Sequence, residues 1–159
     1  MTDTGNSIPL SSPEATFRAF IKTYGLVKRL QEPYFAAFGV SISQWAALYH
    51  LWRAQEEGQP GLRLTDLGSR LLVRPPSITG VVDRLCRLGL VNRTAAVDDL
   101  RAKQVSLAPA GKELVDRVMA EVPKRIRDLM AGLNEQEQAQ LLQLLDRMAA
   151  HLDTMAAEK

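Results

Sequence analysis

The segment LVRPPSITGVVDRL, residues 72–85, carries the side chains with the clearest chemical potential. Two adjacent prolines precede the small residues Ser77, Thr79 and Gly80, while apolar residues recur at helical spacing. A proline in the first turn of a helix gives up only an N–H that the helix could not have used. Hydroxyls and free N–H groups at a helix start suit base edges and phosphates. The segment therefore predicts a helix that approaches nucleic acid with its N-terminus. An ordinary surface helix with a proline start is the alternative.

The positive charge of the chain is concentrated around this segment. The formal net charge is +2, yet residues 60–104 contain eight Lys/Arg against four Asp/Glu, whereas the flanking parts are neutral or negative. Such asymmetry suggests contact with a polyanion. The charge distribution alone is equally compatible with a chance excess of this size.

The surrounding pattern predicts the elements that would position this helix. A short helix opened by Thr65 and Asp66 precedes it, and strands at residues 91–94 and 103–107 follow it with a polar connection between them. Two short helices followed by a β-hairpin form a winged helix-turn-helix, in which the second helix enters the major groove. The whole pattern predicts a mainly α fold with about six helices and a hairpin wing.

The helices at the two ends of the chain are predicted to mediate dimerisation. Ser12 caps a first helix that runs to about residue 38, Ser43 is expected to cap the second, and Asn134 with Glu137 caps the last. The last two helices carry apolar stripes that one chain of this size does not cover. We expect a loose tail at 1–11, dimerisation helices at 12–42 and 109–159, and a DNA-binding lobe at 43–108.

Aromatic side chains cluster on the second helix. Trp45, Tyr49, His50 and Trp52 lie within eight residues, and they fit either a plain core or one wall of a small-ligand pocket. The sequence does not indicate which arginine would accompany such a ligand.

The remaining candidates favour structural roles. Cys86 is the single cysteine, which excludes an internal disulfide and fits a small buried hydrophobe in a reducing, cytoplasmic setting. Neither His50 nor His151 has partners at metal-ligand spacing, so we expect no metal and no cofactor. No catalytic motif indicates an enzyme, and no apolar run approaches the roughly 20 residues of a membrane span.

Several short motifs in combination carry a resemblance to a known family. They are Leu64-Thr65, Pro76, Val82-Asp83-Arg84-Leu85, Gly89-Leu90-Val91 and Asp99-Leu100-Arg101, with Gln44-Trp45, Ala110-Gly111 and LNEQEQAQLLQLLDRM on the flanks. Over about residues 17–155 the chain resembles the multiple-antibiotic-resistance regulator (MarR) family of winged helix-turn-helix transcription factors.

The resemblance implies a homodimeric repressor that binds a pseudo-palindromic operator in double-stranded DNA and is relieved by a small aromatic or phenolic ligand. It implies a location in the cytoplasm, on the nucleoid when bound. Arg101 would enter the minor groove from the wing tip, with Asp99 beside it. Without the family resemblance, Arg101 would be interpreted as a solvated charge in a loop. The implied ligand wall contains Trp45 and Tyr49. The implied DNA-binding residues are Thr65, Arg74, Pro76, Ser77, Thr79, Gly80, Arg84, Asp99, Arg101 and Lys103.

Three positions depart from the family pattern around the recognition helix. Arg74 replaces a serine-type cap, Pro75 a residue that is often basic, and Gly80 a common arginine. These departures leave open a second hypothesis, a protein-interaction adaptor that retains the winged-helix scaffold and has lost DNA binding.

Overall fold

The computed structural model describes residues 12–71, 75–95 and 103–158. Its elements follow the predicted order and form a winged helix-turn-helix flanked by long helices. They are α1 (Pro13–Ala36), α2 (Ile42–Glu56), β1 (Leu62–Arg63), α3 (Leu64–Arg70), α4 (Pro75–Arg87), β2 (Val91–Ala95), β3 (Lys103–Leu107), α5 (Pro109–Met130) and α6 (Glu135–Ala157).

The first and last helices begin where the sequence predicts. The Ser12 hydroxyl accepts a hydrogen bond from the N–H of Ala15 at 3.1 Å, which satisfies one of the free donors at the start of α1. At the start of α6, Asn134 Oδ1 accepts from the N–H of Glu137, and the Glu137 carboxylate accepts from the N–H of Asn134. Both predicted caps are confirmed.

The start of α2 differs from the prediction by two residues. Ser41, not Ser43, is the cap: its hydroxyl accepts from the N–H of Gln44, and Gln44 Oε1 accepts from the N–H of Ser41 at 2.7 Å. Ser43 lies inside the first turn because a reciprocal cap needs a glutamine or glutamate three residues after the capping residue, and only Ser41 has one.

The wing is built on a three-stranded antiparallel sheet in the order β1-β3-β2. Val105 in the central strand pairs with Leu62 on one side and Arg93 on the other. The short strand β1 therefore joins the start of α3 to the base of the hairpin.

The core lies where the helix-turn-helix meets the wing and the beginning of α5. Its fully buried large side chains come from α2, α3, α4, β3 and α5; they are Leu48, Leu51, Leu67, Ile78, Val82, Leu85, Val105, Val115 and Val118. Because α4 contributes three of them, its orientation is fixed by apolar packing rather than by its exposed face.

The chain divides into two compact units, and the division falls within α5. The first unit extends to Val118, and the second comprises residues from Met119 onward. In the second unit, the Gln138 side chain donates to the Leu133 carbonyl at 2.8 Å, which holds the beginning of α6 to the preceding turn. No residue of α6 is buried.

Candidate nucleic-acid interface

Helix α4 has one buried apolar face and one exposed polar face. Ile78, Val82 and Leu85 are buried. Ser77, Thr79, Gly80 and Arg84 are exposed. A helix that buries one stripe and presents small polar groups near its N-terminus can bring backbone N–H groups and hydroxyls close to a partner. The outward positions of Ser77 and Thr79 and the inward position of Ile78 agree with the helical spacing of the apolar residues in the sequence.

Gly80 faces open space on this surface. Apart from its own helix and chain neighbours, a Cβ built at this position would meet no atom of the described residues within 4 Å. Within residues 12–71, 75–95 and 103–158, no packing constraint therefore accounts for a glycine here. The absence of a side chain leaves room at the exposed face of α4.

An ion pair connects α4 to the wing. Arg93 on β2 donates from Nη1 to Asp83 Oδ1 at 2.6 Å, with the two side chains 24% and 47% exposed. Arg87 Nε also donates to the Asp83 carbonyl at 3.4 Å. This pairing was not predicted from the sequence. The sequence signal for it is a carboxylate on α4 followed, after a tight glycine turn, by an arginine on the next strand.

The other predicted DNA-binding residues are distributed around α4. Thr65 is exposed in the first turn of α3, where its hydroxyl donates to Asp66 Oδ1 at 3.4 Å. Pro76 lies in the first turn of α4, and Lys103 is the first residue of β3.

Part of the predicted set cannot be placed in the fold. Arg74, Asp99 and Arg101 lie outside the described residues. The wing-tip contact and the basic residue before α4 therefore stay predictions.

The two aromatic residues predicted to form a ligand wall lie beside each other, with ring centroids 6.1 Å apart, but their other contacts differ. Trp45 stacks on Phe35 of α1, with ring centroids 5.4 Å apart and planes 17° apart. Tyr49 instead lines a pocket with His50, Arg53, Glu57 and Arg70, and Trp45 is not part of that lining.

The pocket beside Tyr49 has distinctive electrostatics. The pKa of Arg53 is raised above its ordinary value, first by the nearby Tyr49 hydroxyl and then by Glu57, whose carboxylate accepts a hydrogen bond from Arg53 Nη2 at 3.3 Å. Burial lowers the pKa of His50 below its ordinary value, and the nearby charges of Arg70 and Arg53 lower it further. An imidazole flanked by two cations remains neutral at neutral pH.

Other site types find little support in the part of the chain that the structure describes. Within residues 12–71, 75–95 and 103–158, no group of three or more His, Cys, Asp or Glu side chains could hold a metal ion. Cys86 is partly buried on α4. None of the helices in those same ranges has the length and apolar character needed to cross a bilayer.

Known proteins share this arrangement of helices and wing. The sequence model of the MarR family matches residues 40–103. Among solved structures, a probable transcriptional regulator from Pseudomonas aeruginosa is 33% identical, with 78% of this chain and 95% of that chain covered and a TM-score of 0.63.

This chain belongs to the MarR family.

Two further MarR-family comparisons bear on length and fold. The homoprotocatechuate degradative operon repressor of Escherichia coli is 31% identical over 91 residues, which are 57% of this chain and 62% of that protein. The chain thus aligns with less than two thirds of that relative. A mutant MarR from Escherichia coli, complexed with operator DNA, has a TM-score of 0.77 at 23% identity, covering 92% of this chain and 99% of that one. The fold expected from the resemblance is confirmed.

Proposed function

We propose that this protein is a sequence-specific, DNA-binding transcriptional regulator that acts as a homodimer and represses transcription until a small ligand releases it. One observation supports this most strongly. Helix α4 is anchored by Ile78, Val82 and Leu85 while Ser77, Thr79, Gly80 and Arg84 lie on its exposed face. This is the disposition that a helix needs in order to enter a major groove with its N-terminus.

The proposed DNA contacts fall into those with base edges, those with phosphates and those in the minor groove. Ser77, Thr79 and Gly80 would meet base edges, which carry sequence information. Thr65, Arg84 and Lys103 would bind phosphates. From the wing, Arg101 with Asp99 would enter the minor groove, where narrow stretches attract arginine. Arg74 and Pro76 would place the helix entry against the duplex.

Exposed apolar helix faces support the homodimer. α6 presents a large set of apolar side chains that are each more than a third exposed: Leu141, Leu142, Leu144, Leu145, Met148, Leu152 and Met155. On α1, Phe17 and Tyr24 are both 62% exposed. Apolar surface on this scale marks an interaction site, and a two-fold dimer would bury it symmetrically.

A two-fold dimer dictates the form of the operator. Its two α4 helices would read half-sites about 10 base pairs apart in a pseudo-palindrome. Such a regulator acts in the cytoplasm, on the nucleoid when bound. A small aromatic or phenolic ligand, with Trp45 and Tyr49 as candidate wall residues, would relieve repression if it binds the DNA-free arrangement more tightly than the bound one.

Fluorescence anisotropy on the promoter of the chain's own gene tests this proposal. We expect operator DNA to bind at least about a thousandfold more tightly than scrambled DNA. If about six or more phosphates are contacted, affinity should fall by a thousandfold or more between about 50 and 200 mM salt. Equal affinity for both duplexes, or no binding to either, contradicts the proposal and favours a protein-interaction adaptor.

Two substitutions separate base reading from backbone contact. Ser77→Ala should narrow the gap between operator and scrambled DNA by about 1–3 kcal/mol if its hydroxyl makes a good base contact. Arg101→Ala should instead weaken both duplexes and reduce the salt dependence. Ser43→Ala, an exposed serine in the first turn of α2, is the matched control and should change neither.

A further inference from the structure

Gly80 lies at the middle of the exposed face of α4. It follows Ile78 by two residues and precedes Val82 by two, and both of those side chains are fully buried. Because an α-helix turns by about 100° per residue, a position two residues from each of them points away from the core. Position 80 is therefore the part of α4 that would penetrate furthest into a major groove if this face binds DNA.

The surface at Gly80 is an apolar recess. Its N–H and carbonyl lie in the interior of α4, where they bond to the backbone one turn away, so the residue offers only a methylene group. The positions three residues before and four residues after it, on the same face, are Ser77 and Arg84, and both are exposed. The recess therefore lies between a hydroxyl and a guanidinium.

The larger side chains on the same face have contacts elsewhere. Asp83, three residues after Gly80, accepts a hydrogen bond from Arg93 Nη1 at 2.6 Å on the wing. Arg87 donates from Nε to the Asp83 carbonyl at 3.4 Å. Apart from its own helix and chain neighbours, no described atom lies within 4 Å of a Cβ built on Gly80. Within the described part of the chain, no side chain therefore fills the recess.

The chemistry of the base edges decides which base fits this recess. In the major groove, adenine, guanine and cytosine present hydrogen-bonding groups, whereas thymine also presents its C5 methyl group. A methylene group cannot bond to a donor or an acceptor, so a polar edge pressed against it would lose its water without compensation. Burial of a methyl group against it is favourable instead. Thymine is therefore the base that the surface at Gly80 fits.

We propose that Gly80 is a specificity-determining residue, and that its recess accepts the C5 methyl group of one thymine in each operator half-site. This inference rests on the proposed DNA-binding function and extends it by naming a base. The two can fail separately. Specific operator binding that requires no thymine methyl would contradict only the role of Gly80, whereas the absence of specific binding would contradict the function itself.

The test removes the methyl group from the DNA. Footprinting first locates the operator in the promoter of the chain's own gene. Each thymine of the two half-sites is then replaced, in symmetric pairs, by deoxyuridine, which has the same hydrogen-bonding groups but no methyl. Fluorescence anisotropy measures the Kd of the full chain for each duplex at fixed salt. One symmetric pair should weaken binding about tenfold, because two buried methyl groups are lost.

Gly80→Ala supplies a methyl group from the protein side instead. Because its Cβ would occupy the recess, this variant should bind the thymine operator about tenfold more weakly than the parent. It should bind the deoxyuridine operator at least as tightly as the thymine operator, whereas a damaged fold would weaken both duplexes by the same factor. Gly132→Ala, at another exposed glycine with open space around its Cβ, is the matched control and should retain the preference for thymine.

Three outcomes would overturn the proposal. The first is specific binding in which no deoxyuridine pair changes the affinity of the parent by more than about twofold, less than one buried methyl group contributes. The second is a Gly80→Ala variant that prefers thymine as strongly as the parent does, which would assign the methyl contact to another residue. The third is the absence of specific binding to any duplex, which would overturn the proposed function and this inference together.

Discussion

At the scale of single residues, the Asp83–Arg93 ion pair joins α4 to the wing. Arg93 is held mostly out of solvent while Asp83 is about half exposed. An ion pair in such a position gains more than a fully solvated pair, because its field is less screened. We infer that it fixes the angle between α4 and the hairpin, on which simultaneous contact with two grooves would depend.

A double-mutant cycle on this pair gives the first prediction. Asp83→Asn and Arg93→Gln should be coupled by about 0.5–1 kcal/mol in the free energy of unfolding, measured by urea denaturation at fixed protein concentration. The exposed helical pair Arg53–Glu57 is the control and should show a smaller coupling, because solvent screens it more fully. A smaller coupling for Asp83–Arg93 than for the control would mean that the pair holds nothing in place.

The second prediction concerns His50 and pH. Its pKa in the folded protein lies below the ordinary value of 6.5, so the unfolded chain binds the proton more tightly than the folded one. The free energy of unfolding should therefore fall as the pH drops below about 6.5 and level off below the folded pKa.

The pH effect is measured by comparing variants. Urea midpoints of the parent and of His50→Gln, taken between about pH 5 and 8, should diverge at the acid end, with the substituted protein losing less stability. His151→Gln serves as the matched control and should follow the parent. Parallel curves for the parent and His50→Gln would show that burial of this imidazole does not oppose its protonation.

At the scale of elements, the order of helices and strands was predictable because each carries its own local signal. Serine and asparagine caps, the turn glycine at Gly89 with φ +69° and alternating strand residues all act over a few positions. The predicted start of α2 at Ser43 was wrong, because Ser41 with Gln44 forms a reciprocal cap and Ser43 has no glutamine or glutamate three residues later.

The pocket beside Tyr49 could not be predicted from the same signals. His50 and Arg70 lie on different helices, and the periodicity of each helix does not specify how one is rotated against the other. That rotation is set by interlocking of buried side chains such as Leu48 and Leu67, which depends on shape rather than on pattern. The exposed face of α4 was predictable because the helical spacing of its apolar residues separates the buried face from the exposed face within a single helix.

The third prediction compares two helical glycines, Gly111 in a tightly packed position and Gly80 in an open one. A Cβ on Gly111, in the first turn of α5, would collide with the carbonyl oxygen of Leu90. That oxygen also accepts the N–H of Ala108 at 3.0 Å, so it cannot move freely. Gly111→Ala should destabilise the protein by about 1–3 kcal/mol.

Gly80→Ala is the control for Gly111→Ala. Its new methyl group would enter open space, and alanine should stabilise α4 by about 0.5–1 kcal/mol. Thermal melts of the DNA-free protein measure both. Equal melting temperatures for the two variants would contradict the close packing of α5 on the turn after α4.

At the scale of the whole molecule, the exposed apolar side chains of α1 and α6 are the main support for the proposed dimer. None of the α6 side chains is buried within the chain, and leucines at this density on a solvated helix would cause non-specific association. The proposed two-fold dimer would resolve this, because the same apolar face of each chain would cover that of the other. A single substitution in such an interface would also occur twice, which would double its effect.

The fourth prediction tests the dimer through adjacent positions of α6. Leu144 is 59% exposed within one chain, and Leu144→Glu would bury two carboxylates in the dimer interface. Because an unpaired charge is costly to remove from water, sedimentation velocity at micromolar concentration should show monomers. Gln143→Glu adds the same charge one residue away, outside the apolar set, and should leave the dimer intact. A parent protein that sediments as a monomer, or a Leu144→Glu variant that remains dimeric, would show that α6 is not the interface.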